Sequence, residues 1–178
     1  MRQLCSMALH TCVATALLNP CFAQSPQELT SDPSLLRFLD QLAEATYQFN
    51  IGNPEPYLAL LSATEDVTLM GAAGGMEKGI SQIRPRIAFL TQRRTEGDQF
   101  EENKAEIEYV SVVVSGDLAY TVQIERRLLS RPGQDEPENS VLRATHVLRK
   151  ESGEWKLLHR HADPLVDVTI PGLPSPQQ

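Results

Sequence analysis

The sequence predicts an α+β fold in which a curved antiparallel sheet packs on one helical layer. Two observations carry this. Leu35, Phe38, Leu39, Leu42, Thr46 and Phe49 recur at spacings of three and four, the period of an amphipathic helix. The second half instead alternates apolar and polar residues in runs divided by turn residues, the period of strands. Helices gathered before a run of strands give α+β rather than an alternating α/β order.

The elements follow in order. Asp32-Pro33 sets a capping side chain before a proline at the first helical position, so a helix is predicted from there to about Asn50. Asn53-Pro54 repeats the signal and opens a short helix through Leu58, Leu60 and Leu61. Asp66–Met70 reads as a strand, and the Gly-rich GAAGGMEKG after it as a tight connection. Ile83, Ile87 and Leu90 mark another helix; Pro85 would interrupt it, so a turn at 80–84 and a helix from Pro85 are expected. Four strands complete the chain: Ala105–Val114, Leu118–Leu128, Ser140–Lys150 and Glu154–Asp163. Turns at Ser115-Gly116-Asp117 and Ser152-Gly153 and the polar loop SRPGQDEPEN separate them.

At 178 residues, with 41% hydrophobic and 22% charged side chains, the composition is that of one soluble domain with short extensions. A net charge of −7 without a dense Lys/Arg run excludes a nucleic-acid surface. Arg2, the apolar run from about Met7 to Leu18, and Cys21-Phe22-Ala23 have the pattern of a secretory signal cut after Ala23. That run is shorter than the roughly 20 residues that span a bilayer. A periplasmic or secreted protein, free of the membrane after removal of residues 1–23, is therefore expected; lipid attachment at Cys21 is the alternative. All three cysteines fall in the signal, so thiol and disulfide chemistry are not expected of the mature chain. Residues 24–33 read as a leader, 34–166 as the domain, and 167–178 as a loosely ordered Pro-rich tail.

Candidate chemistry concentrates in WKLLHRHADP, Trp155 to Pro164. On a regular strand Trp155, Leu157, His159, His161 and Asp163 share one face, and Lys156, Leu158, Arg160 and Ala162 the other. The two cations of the second set point it to solvent, so the first is expected to face inward. A three-residue loop, Glu151-Ser152-Gly153, would pair Thr145 with His159 and Arg143 with His161; a two-residue Ser152-Gly153 turn would pair His146 with His159 and Ala144 with His161. The first register is preferred because it gathers Arg143, Thr145, His159 and His161 into one polar ladder. The histidines then have four readings: hydrogen-bonded pocket lining, orientation of a polar or anionic ligand, acid–base catalysis supported by Asp163, or a metal clip. The metal reading ranks last, since Arg143 would lie beside the cation and no further ligand completes the set; no metal or cofactor is assigned. Tyr47, just off the apolar stripe of the first long helix, either packs in the core or sends its hydroxyl to a cavity. GAAGG is not a phosphate loop, because no Gly-Lys-Ser/Thr follows it. Arg93-Arg94 and Arg126-Arg127 read as solvated faces.

Three features together are similar to a known family: the Tyr-containing helix ending at Gly52-Asn53, the Gly-Ile-x-x-Ile of Gly79–Ile83, and RATHVLRKESGEWKLLHRHAD from Arg143 to Asp163. From Ser34 to Val166 the chain resembles the nuclear transport factor 2-like superfamily, in its SnoaL-like and ketosteroid-isomerase-homologue branch. The resemblance implies a cone, its sheet wrapped around the long N-terminal helix with an internal pocket, and a homodimer. It implies a pocket lined by Tyr47, Arg143, Thr145, His159 and His161. The carboxylate base, tyrosine and protonated acid of the isomerases find no residue-by-residue match, for Thr68 and Met70 stand where a base would be. The expected function is binding of a small molecule by an exported domain. The alternatives are a lyase or isomerase acting on a carbonyl compound through His159 or His161, and a homo-oligomeric assembly module.

Overall fold

The computed structural model describes residues 25–96, 102–130 and 138–166. The expected signal segment and the Pro-rich tail, residues 167–178, lie outside the described residues. The order is α1 (Pro26–Leu29), α2 (Pro33–Asn50), α3 (Glu55–Leu60), β1 (Thr68–Met70), β2 (Glu77–Lys78), α4 (Ile80–Glu96), β3 (Glu102–Ser115), β4 (Leu118–Ser130), β5 (Glu138–Glu151) and β6 (Glu154–Pro164). One sheet holds all six strands in the order β2-β1-β6-β5-β4-β3. Its pairs are antiparallel except β1 with β6, which run parallel. The sheet curves over α2, as the helix-then-meander order predicts.

The long helix begins where its cap requires. Asp32 Oδ1 accepts from the backbone N–H of Ser34 at 2.8 Å and of Leu35 at 3.2 Å, satisfying two donors that the helix cannot. Ser34 Oγ donates to the same oxygen at 2.6 Å and accepts from Trp155 Nε1 at 3.0 Å, so the cap also ties α2 to β6. Leu35, Phe38, Leu39, Leu42 and Ala45 are buried along one stripe. They join Ile83 and Ile87 of α4 and Leu148, Trp155 and Leu157 of the sheet in one core.

Three local expectations are corrected. Residues of the presumed leader form the short helix α1. The cap of α3 is Pro54, with no side-chain cap bond, rather than Asn53. In α4 Pro85 lies inside a continuous helix instead of starting one. The helix survives because Pro85 costs only the bond to the Ser81 carbonyl, both residues face solvent, and the burial of Ile83 and Ile87 holds the turns on either side. Where β2 leads into α4, Gly79 has φ +82°, a conformation that strains any residue with a Cβ, and such a Cβ would also displace the Glu65 carboxylate 2.2 Å away.

The closing hairpin turns through Ser152 (φ 50°) and Gly153 (φ 87°), the double positive φ of a two-residue type I′ turn. Leu148 pairs with Leu157, but Val147 then pairs with His159, so Leu158 is an extra residue in β6, a β-bulge. Neither expected register holds beyond it: Thr145 lies opposite His161 and Arg143 opposite Asp163.

Removal of the α2 cap by Asp32→Ala is expected to lower unfolding free energy by about 1 kcal/mol in urea titrations, the usual worth of such a cap. An unchanged midpoint would mean that the Trp155–Ser34 bond alone fixes the start of the helix.

Candidate functional site

The bulge exchanges the faces of β6. Before it, Trp155 and Leu157 are buried; after it Arg160 and Ala162 turn inward, while His159, His161 and Asp163 turn out. The expected inward face for the two histidines and Asp163 is thereby corrected. On the outer face Arg143 donates from Nε and Nη2 to both Asp163 oxygens, each at 2.7 Å, and both side chains are substantially exposed. Thr145 stands beside His161. His159 Nδ1 lies 2.7 Å from Thr68 Oγ1 of the neighbouring β1.

Inside the cone, Arg160 replaces them. Its Nη1 and Nη2 donate to Glu125 Oε1 and Oε2 at 2.6 and 2.8 Å, a bidentate pair, and Nη1 also lies 2.6 Å from His146 Nε2. Gln123 Nε2 donates to Glu125 Oε1 at 2.8 Å, and Thr121 Oγ1 donates to Gln123 Oε1 at 3.1 Å. Thr121, Gln123, Glu125 and His146 are all buried. Because a guanidinium only donates, the imidazole nitrogen facing it must be the acceptor. The His146 proton therefore sits on Nδ1, which is buried without a partner among the described residues.

These contacts fix the charges. Burial alone would push the Glu125 carboxyl up, but the charge and hydrogen bonds of Arg160 outweigh it and hold the group down to about 2. Burial, with the Arg160 charge, drives the His146 imidazole down to about 3, so it stays neutral. Burial likewise raises the Tyr57 phenol, within electrostatic reach of Arg160 and Glu125.

Two cavities flank this cluster. The smaller, about 150 Å³, lies between α2, α3, α4 and the sheet, with Phe49, Tyr57, Leu69, Ile87 and Leu90 as apolar wall and Arg86, Arg127, Arg160 and Glu125 as charged wall. Phe49 and Tyr57 stack with ring centroids 5.5 Å apart. The larger, about 330 Å³, opens between α2 and β3–β4 and includes Tyr47, Asp40, Glu106 and Arg126. Thus Tyr47 reaches a cavity, whereas Arg143, Thr145, His159 and His161 line neither of the two. Arg127 is not a solvated cation either; it donates to Asn50 Oδ1 at 3.1 Å between the cavities. The sequence reading missed Glu125, His146 and Arg160, although polar Thr121, Gln123 and Glu125 alternate in β4 with apolar Tyr120, Val122 and Ile124. Among the described residues, no group of three or more His, Cys, Asp or Glu side chains is placed to hold a metal ion.

His146 gives stability a pH dependence whose sign is fixed. Its folded pKa, about 3, lies below the unfolded value near 6.5, so its contribution is complete above pH 6.5 and is lost as pH falls toward 3. Between pH 6.0 and 4.5, urea unfolding is expected to lose up to about 1.4 kcal/mol per pH unit on account of this group. His146→Gln keeps an acceptor for Arg160 but cannot titrate, so its slope in that window is expected to fall by one proton's worth; parallel slopes for the two proteins would exclude a neutral buried His146.

Comparison with known proteins agrees with this architecture. Residues 37–167 match the SnoaL-like domain family. No curated protein matches the chain. A candidate dehydratase of the NTF2-like family from Streptomyces avermitilis superposes with a TM-score of 0.59 at 20% identity, covering 75% of this chain and 95% of that one. A candidate ketosteroid isomerase from Shewanella frigidimarina gives 0.56 at 19%, covering 74% and 96%. The S. rosetta CaMKII hub gives 0.57 at 21%, covering 77% and 100%. With its six-stranded curved sheet around α2 and this match over most of its length, the chain belongs to the SnoaL-like domain family, on the NTF2-like fold.

Proposed function

We propose that the protein binds a compact small molecule, with an apolar body and an anionic or carbonyl oxygen end, in the smaller cavity. The observation that supports this reading is the floor of that cavity. Tyr57 is buried and lines it, and its hydroxyl has no hydrogen-bond partner among the described residues. Arg160 lies beside it, and the wall carries three arginines against one carboxylate. An apolar wall with a few convergent donors suits an oxygen-bearing ligand end. The volume leaves room for roughly five waters' worth of ligand, at about 30 Å³ each. The signal-like pattern of residues 1–23 supports the reading that the binding protein is exported.

The geometry favours binding over base catalysis. Glu125 is locked as a carboxylate by Arg160, which makes it a weak base, and His146 lies outside both cavity walls. A lyase or isomerase using His159 or His161 would need a substrate on the outer face of the sheet.

A second reading, self-association as a homodimer, rests on β4. That strand turns Leu118, Tyr120, Val122 and Ile124 outward, with Leu118 49% and Tyr120 41% exposed, and Val113 of β3 adds to them at 42%. Single exposed apolar residues are ordinary, but a contiguous patch marks an interaction surface. Similar solved structures include a CaMKII hub and CaMKII association domains, names that denote assembly.

Tyr57→Phe keeps the stacked ring and removes the hydroxyl. Short aliphatic and aromatic carboxylates, screened by calorimetry, are expected to bind the parent protein in preference to their amides. For the best of them the variant is expected to bind about fivefold to tenfold more weakly, the worth of one hydrogen bond near 1 kcal/mol. Equal binding by both proteins would remove Tyr57 from the site. For assembly, Tyr120→Glu is expected to convert a dimer to monomer in light scattering without lowering the melting temperature of the monomer; an unchanged mass would move the interface off this face.

A further inference from the structure

We propose that His159, His161 and Met70 form a copper(I) site on the outer face of the sheet, separate from the cavity. The parallel pairing of β1 and β6 sets Thr68 opposite His159 and Met70 opposite His161. Neighbouring strands lie about 4.8 Å apart, and same-face residues recur about every 7 Å along a strand. Leu69 is buried inside and Thr68 meets His159 outside, so Met70, which alternates with Leu69, shares the outer side with the two histidines. Two imidazoles and a thioether thus occupy three corners of one small patch.

The surroundings select a soft monovalent ion. Asp163, on the same face of β6 and two residues beyond His161, is taken by a bidentate bond from Arg143, which withholds a hard oxygen donor and balances the arginine's charge; Lys78, paired with Thr68, is the cation at the far edge of the patch. Thioether sulfur with imidazole nitrogen and no carboxylate is a donor set for copper(I) rather than for magnesium, calcium or manganese. Thr68 Oγ1 lies 2.7 Å from His159 Nδ1, the kind of outer support that metal-binding histidines use; in the tautomer in which Nδ1–H donates to Thr68, Nε2 keeps its lone pair for a metal. The bulge at Leu158 creates the site, since without it both histidines would point into the cone.

The test uses the full chain with Cys5, Cys12 and Cys21 changed to Ser, so that no thiol competes. Under anaerobic conditions it is titrated against copper(I) bicinchoninate, and in parallel against zinc(II). The parent is expected to withdraw one equivalent of copper(I). His159→Asn and His161→Asn are each expected to weaken this at least tenfold, as is Thr68→Val. Met70→Leu, which keeps the volume, is expected to weaken copper(I) at least tenfold and zinc(II) less than twofold. Melting temperatures within about a degree or two of the parent establish that the half-exposed and exposed substitutions leave the fold intact. Failure to withdraw copper(I), withdrawal unchanged in the histidine variants, or a Met70→Leu protein that binds copper(I) like the parent would each overturn the proposal.

Discussion

One inserted residue, Leu158, sets the orientation of everything beyond it in β6. A bulge reverses which side chains face the core, because alternation along a strand has a period of two. Here the reversal is coupled to a charge. Glu125 is buried on β4, and a lone buried carboxylate is costly unless it is paired and fully hydrogen-bonded. The bulge brings Arg160 to it in bidentate geometry, while Gln123 takes the remaining approach to Oε1. Removing either the extra residue or the arginine would strand the carboxylate, so the register of the last hairpin and the interior charges stabilise one another.

That coupling decides what the interior can do. A guanidinium already committed to a carboxylate and an imidazole is held rigidly, and its remaining hydrogens can serve a ligand without reorganising. The same commitment removes the proton-transfer capacity of its partners, since Glu125 is kept ionised and His146 neutral across the ordinary pH range. A site so arranged positions and neutralises an oxygen atom far better than it moves a proton. The similarity of this fold to proteins named as isomerases or dehydratases does not bring their base with it.

Much of the fold was legible because it follows from local rules. The Asp32-Pro33 cap, the stripe from Leu35 to Ala45 and the four long strands of the meander each need only a few neighbouring residues to be read. The candidate site was less legible, because it depends on register, and register depends on a bulge. Lys156 and Arg160 suggested a single solvent face, yet the apolar residues themselves change phase, with Trp155 and Leu157 on one parity and Leu158 and Ala162 on the other. That adjacent Leu157-Leu158 pair was the available signal. Arg160 is a buried cation, which residue type alone disfavours, and only the long-range partner Glu125, 35 positions away, makes it stable. Helical geometry left Tyr47 between core and cavity, and the structure puts it on a cavity wall.

β4 shows how the two sides of the sheet depend on each other. Its polar residues Thr121, Gln123 and Glu125 point into the cone and its apolar residues Tyr120, Val122 and Ile124 point out, the reverse of a strand that merely covers a core. A monomer in water would bear both costs at once: polar groups to be satisfied inside and apolar area left wet outside. The inner cost is met by the chain of hydrogen bonds from Thr121 to Arg160. The outer cost is the apolar area that the proposed self-association would cover. The polar cavity and the apolar outer face are therefore two consequences of a single alternation, and a substitution that made β4 conventional would abolish both.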